Sequence, residues 1–235
     1  MGGTYFYTTT AGRELKLLYG DRYICEEVRK NDVLSYDIEL LHPLLPYLDA
    51  ETLVIDIGAY IGDHTDLFAR FGGQVIAIEP NPLAFEALRH NVGWRNNVLC
   101  LNVGIGDRHC WGTLAHGEEG NIGNTTIDTG NTEGRVQVYT LDALPVDVVD
   151  GPSALIKIDV EGMEPEVLRG GAELIERLRP VMLIEVNRAA LAARGSTPGA
   201  LLDMIRSLGY EVLNVRGGDL DGDLWDALCI PKERE

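Results

Sequence analysis

The chain has 235 residues, 45% of them hydrophobic, and a formal net charge of −17. Length and apolar content suit one domain with a sizeable core, and no stretch approaches the ~18 continuous apolar residues of a membrane span. Binding to nucleic acid or to an anionic membrane needs clustered Lys and Arg, so the acid excess argues against both and favours a small substrate. Met1–Tyr5 has no basic start followed by an apolar run, so no signal peptide is expected. The four cysteines are scattered without C-x-x-C spacing, which points to no zinc site and no disulfide framework, and so to a reduced, cytoplasmic setting.

In chain order, residues 1–36 are mixed: Tyr5–Thr10 and Arg22–Cys25 read as short strands or as a flap. Ser35 is placed to cap a helix over Asp37–Leu48, with Ile38, Leu41, Leu44 and Leu45 on one face and Pro43 and Pro46 bending it. Residues 1–50 are therefore expected to cover one side of a site built by residues 51–235. Leu53–Ile57 is a short β-branched run ending near Asp56 and Gly58, too short for a core helix and suited to a buried parallel strand. Gly58, Tyr60 and Gly62 form a turn, and Leu67, Phe68 and Phe71 give the next stretch a helical apolar face. The spacing is G-x-x-x-G, not the G-x-G-x-x-G of pyrophosphate cradles. Gln74–Glu79 is a second such strand, whose terminal Glu79 lies where an acid accepts ribose hydroxyls; Asn81 follows it.

Pro82 opens a helix carrying Phe85, Leu88 and Val92, and Val98–Val103 is a third strand, with Asn102 near its tip. Gly104–Gly134 is rich in Gly, Asn, Thr and Asp and reads as loop or hairpin, followed by a short strand over Arg135–Thr140; the insertion spans about 104–140. Ala154–Asp159 and Val181–Val186 are further strands, with helices after Pro165 and over Ala172–Leu178 and Pro198–Leu208. Tyr210–Val215 and Asp226–Ile230, joined by an acidic glycine-rich turn, suggest a terminal antiparallel hairpin. The pattern is α/β: a three-layer, Rossmann-like, seven-stranded, mostly parallel sheet with its last strand antiparallel. Such a sheet binds ligands outside the carboxyl ends of its strands, where Asp56, Glu79, Asn102, Asp159 and Glu185 fall. His64 follows the glycine turn and reads as packed or solvent-facing rather than catalytic.

Three stretches then point one way. Asp56–Gly62 with Glu79-Pro80-Asn81 resembles the cofactor half of a class I S-adenosylmethionine-dependent methyltransferase. Ile156–Glu164, followed by Val167–Gly170, resembles the signature of the FkbM family within that class, as do Thr140–Leu144 and Met182–Val186. The resemblance implies methyl transfer from S-adenosylmethionine, usually onto a hydroxyl of a sugar or natural product. It puts Gly58 and Gly62 near the methionine part, with Asp56 orienting that turn and Tyr60 within it. It puts Glu79 on the ribose beside Asn81, and Asn102 near the adenine with Asp107 a weaker candidate. Asp159 would sit beside sulfonium and acceptor. The family often carries His where this chain has Met163, and a thioether takes no proton at working pH. Asp159 and Glu161 are then the nearest carboxylates for catalysis, with His109 and His116 outside candidates. A magnesium ion on Asp159 and Glu161 lacks a readable ligand set, so no metal is assigned. Nitrogen and carboxylate acceptors, a non-catalytic cofactor-binding role and the oligomeric state stay open.

Overall fold

A computed structural model describes residues 3–35, 37–116, 125–130, 135–144 and 153–232. The chain opens with an antiparallel hairpin, β1 (Thr4–Thr8) and β2 (Glu14–Leu18), then α1 (Ile24–Asn31), α2 (Ile38–Leu41) and a 3₁₀ segment His42–Tyr47. The core follows as β3 (Leu53–Ile57), α3 (Asp63–Phe71), β4 (Val75–Ile78), α4 (Pro82–Val92) and β5 (Val98–Leu101). An inserted block holds β6 (Gly104–Gly106), β7 (Cys110–His116), β8 (Thr125–Asp128) and β9 (Val136–Thr140). The chain closes with β10 (Ala154–Ile158), α5 (Glu164–Gly170), α6 (Ala172–Leu178), β11 (Val181–Asn187), α7 (Arg188–Ala193), α8 (Pro198–Ser207), β12 (Tyr210–Asn214) and β13 (Leu224–Pro231).

The central sheet has seven strands in the order β12-β13-β11-β10-β3-β4-β5. All pairings among β11, β10, β3, β4 and β5 are parallel, and β13 runs antiparallel between β11 and β12. Successive side chains on a strand face opposite layers. Ile55, Ile57, Ile156 and Ile158 pack with α5, α6 and α8, while Val54 and Leu155 pack with Leu67 and Phe68 of α3 and with Leu40, Leu41 and Leu44. That alternation buries Asp56 and Lys157, paired in register, on the α3 side of the sheet.

Three local expectations change. The Arg22–Cys25 segment enters α1 rather than a strand, because Asp21 takes the amides of Tyr23 and Cys25 and organises a helical turn. The Asp37–Leu48 helix is a single α-turn capped by Asp37 and continued as 3₁₀, since two prolines remove the amides a longer α-helix needs. Ser35 is no cap; its hydroxyl donates to Asp66 at 2.8 Å. The Gly104–Gly134 stretch, expected as loop or hairpin, contains the β7–β8 hairpin, and what was not expected is that β6 and β9 extend it into a four-stranded second sheet. Its parts at 117–124 and 131–134, with the side chain of His116, lie outside the described residues.

Candidate active site

The parallel strand tips of β3, β4, β10 and β11 frame a crevice of about 270 Å³, walled by the second sheet through Gly104, Ile105, Thr125 and Ile127. Tyr23 and Ile24 close another side. They belong to the start of α1, whereas Leu40, Leu41 and Leu44 of the following segment pack into the core.

The turn after β3 is built for close approach. Gly58 has φ +83°, and a Cβ there would stand 1.7 Å from the carbonyl oxygen of Asp159, so only glycine lets the β3 and β10 tips meet. Gly62, at φ +91°, starts α3, and its missing side chain leaves room for Leu88 and Val92 of α4. Tyr60 also holds a positive φ, +47°, which is strained for a residue with a side chain. Two bonds hold it: its amide donates to Glu79 Oε2 at 2.9 Å, and its hydroxyl donates to Asp21 Oδ2 at 2.5 Å. The second bond fastens the N-terminal segment to this turn.

Glu79 is buried, yet both carboxylate oxygens are engaged by backbone: Tyr60 N on Oε2, and Asn81 N on Oε1 at 2.7 Å. Burial pushes its carboxyl up to about 7; those two amides oppose the rise. The Asn81 side chain caps α4 by accepting from Leu83 N. Asn102 does not line the crevice; its amide donates to the carbonyls of Glu79 and Pro80 and fixes their loop.

The opposite end is acidic. Lys157 donates to Asp159 at 3.0 Å and lies 3.7 Å from Asp56, so one ammonium serves two carboxylates. Burial disfavours its charge, but Asp159 and Asp56 outweigh that and hold it above the ordinary lysine range. Asp56 lies beneath the crevice, accepting from Thr65 at 2.6 Å. Glu161 sits at φ +52° and accepts from Asn187 Nδ2 at 3.4 Å. Burial, then the charge of Asp159, raises it to about 8. Glu185 and Asp226 are raised too, by burial first and Asp159 second.

Of the residues expected from sequence, Gly58, Tyr60, Glu79, Asp159 and Glu161 share the crevice. Asp56, Gly62, Asn81 and Asn102 support its walls from outside. Asp107 stands apart, paired with Arg108 and Arg169. His64, read from sequence as packed or solvent-facing rather than catalytic, lines the crevice with Asp63. Met163 is buried against Ile127, Val136 and Val138, so it joins the second sheet to the core. Lys157 and Asn187 were not expected at the site, and Glu185 was expected at its strand edge without a role. Glu185 was visible as a strand-end acid, and Lys157 could have been found from its register opposite Asp56.

A sequence model described as the methyltransferase FkbM domain matches residues 56–212. A hexuronic acid methyltransferase, AglP, of Haloferax volcanii is 26% identical over 162 residues, covering 67% of this chain and 66% of that protein, so this chain spans about two thirds of its length. A TehB-like SAM-dependent methyltransferase from Corynebacterium glutamicum superposes with a TM-score of 0.50 at 13% identity, over 88% of this chain and 96% of that one. A putative methyltransferase from Streptococcus mutans, solved in complex with SAH, gives a TM-score of 0.50 at 14% identity, over 83% and 99%. At these identities the two structures show a shared fold. No helix among the described residues is long and apolar enough to cross a membrane.

Proposed function

The chain belongs to the FkbM family of methyltransferases, and on that premise we propose that it transfers a methyl group from S-adenosylmethionine to a hydroxyl of a small molecule, a sugar or natural product. The observation that carries the reading is the crevice itself, with one amide-braced carboxylate, Glu79, at one side and the Asp159–Glu161 pair at another. The donor set suits the cofactor. Glu79 has lone pairs left for two ribose hydroxyls, and charge-assisted bonds of this kind contribute about 1.5–3 kcal/mol each. Gly58 and Tyr60 leave the backbone open to the methionine part. The acidic end favours a positively charged nucleoside over its neutral product.

The cofactor supplies an already activated methyl group, so the protein's work is alignment. Holding the acceptor oxygen in line can supply up to about 7–11 kcal/mol. Asp159, fixed by Lys157, and Glu161, fixed by Asn187, orient the acceptor hydroxyl. As the new C–O bond forms and the C–S bond breaks, the hydroxyl proton leaves to one of these carboxylates. The likeness to a hexuronic acid methyltransferase favours a sugar as acceptor.

Isothermal calorimetry tests the first half. S-adenosylmethionine is expected to bind at micromolar affinity, and Glu79→Ala to weaken it about tenfold, or 1.4 kcal/mol. Folded protein that binds no cofactor would refute the reading. Mass spectrometry of a panel of sugars and natural products incubated with cofactor tests the second half. Cofactor binding without any methylated product across that panel supports a binding protein instead.

A further inference from the structure

We propose that Asp159, Glu161 and Glu185 together bind one divalent cation of the magnesium class. One carboxylate oxygen from each lies within 4.8 Å of the other two. Oxygens about 2.1–2.4 Å from a central ion stand up to about twice that distance apart across it, so this spacing fits a single hard cation. The three come from different anchor points: Asp159 and Glu161 from the turn after β10, Glu185 from within β11, its parallel neighbour.

A second observation is independent of that clustering. Glu185 faces the crevice, is largely but not fully buried, and makes no hydrogen bond or ion pair with any described residue. A largely enclosed carboxylate without a donor is costly unless a cation or a bound ligand meets it. The nearby protein cation is not free for it, because Lys157 is held by Asp159 and Asp56. Contrast Glu164 on α5, which takes the amides of Val160 and Gly162 through Oε1 and so has a structural task. Glu185 has none, and it points where Asp159 and Glu161 already converge.

Such an ion keeps open positions for water or ligand oxygens. If this end of the crevice receives the acceptor, as the reading above has it, the ion would hold the acceptor hydroxyl and lower its pKa. Metal binding itself does not depend on that reading, and it can be measured without nucleoside or acceptor.

Manganese serves as the probe, followed by electron paramagnetic resonance on the protein alone. One Mn²⁺ per chain is expected, displaced by Mg²⁺. Glu185→Gln and Asp159→Asn are each expected to weaken it at least about tenfold, whereas the surface change Glu86→Gln leaves it unmoved. Circular dichroism checks each variant's fold; if Glu185→Gln does not fold, Glu161→Gln on the turn takes its place. No saturable Mn²⁺ binding up to about 1 mM, a concentration typical of the weakest specific sites, overturns the proposal. So does binding that survives Glu185→Gln and Glu161→Gln unchanged. Either result leaves cofactor binding and methyl transfer standing; metal binding without cofactor binding refutes only the methyl-transfer reading.

Discussion

Asp66 on α3 and Glu164 on α5 are both buried acids on helices that flank the same sheet, yet one is saturated with donors and the other is short of them. Asp66 takes Arg95 and Arg70 at 2.6 Å each, Arg13 at 3.3 Å and the Ser35 hydroxyl at 2.8 Å. Burial alone would raise its carboxyl; Arg95, Arg13 and Ser35 outweigh that and bring it down to about 2. Trp94 covers the Arg95 guanidinium at 4.8 Å. Glu164 Oε2 has no hydrogen-bond partner among the described residues, and burial lifts that carboxyl to about 7. The first arrangement fastens the N-terminal hairpin to the core. The second lies behind the crevice, where it braces the Val160–Gly162 turn that carries Glu161, and its charge is under-compensated. Unmet charge beside a functional site is held at some expense of stability.

Removing the same charge from the two places should therefore have opposite signs, and the larger effect is expected at Asp66. Asp66→Asn leaves three guanidinium groups facing a neutral amide. Loss of one partner in a buried ion pair destabilises by about 3–5 kcal/mol; the arginines are partly solvated, so about 3 kcal/mol is expected. Thermal melting should show this as a fall of about 6–12 °C. A loss below about 1 kcal/mol would mean that water already carries the charge on these arginines, and the contrast between the two regions would fail.

Glu164→Gln should do the reverse. The amide oxygen can keep the Val160 and Gly162 amides while the unmet charge disappears. Glu164 is raised in the folded state, so the fold holds its proton over a window where the unfolded chain has lost it. Stability from this group is full below about 4.5 and declines as pH climbs to about 7. Glu79 follows the same course. Asp66 is lowered and behaves oppositely, contributing above its ordinary 3.8 and losing that contribution as pH falls towards about 2. In metal-free buffer the wild-type melting temperature should thus fall from pH 5 to pH 8. Glu164→Gln should gain about 1–2 kcal/mol at pH 8 and nothing at pH 5, measured by urea unfolding at both. An equal effect at the two pH values would show that packing, not charge, decides.

The contrast also marks what sequence could show. The five parallel strands were legible because buried parallel strands are short β-branched runs, the terminal pair because an acidic glycine-rich turn joins them, and the crevice acids because they lie at the ends of those runs. The Asp66 hub was not, since Arg13 is 53 residues away and Arg95 29, and nothing local links them. The second sheet was hidden by its own packing. Gly104 and Gly112 read as loop residues, but a Cβ at either would stand 2.3–2.4 Å from Ile127, so they are glycines to let strands close on that side chain. Glu185 was legible as a strand-end acid but not as one of three converging carboxylates, because convergence depends on how the β10 turn folds back.

The smallest effect expected is at Glu79, and it tests the crevice half of the comparison from the ligand's side. Without ligand the carboxyl lies at about 7, so near neutral pH it is partly protonated. Ribose hydroxyls donating to it and a cationic nucleoside beside it both favour the ionised form. Binding of S-adenosylmethionine at pH 7 should then release a fraction of a proton. Calorimetry in two buffers of different ionisation enthalpy reads that fraction directly. Affinity should rise with pH up to about 7 and level off above it, in proportion to the fraction of Glu79 already ionised. Glu79→Gln should abolish both the release and the pH dependence; it leaves an oxygen for only one of the two backbone amides, so affinity also falls, equally at every pH. Release that persists in Glu79→Gln would move the titrating group to the acidic wall at the crevice's other end, and ribose recognition by Glu79 would lose its electrostatic support.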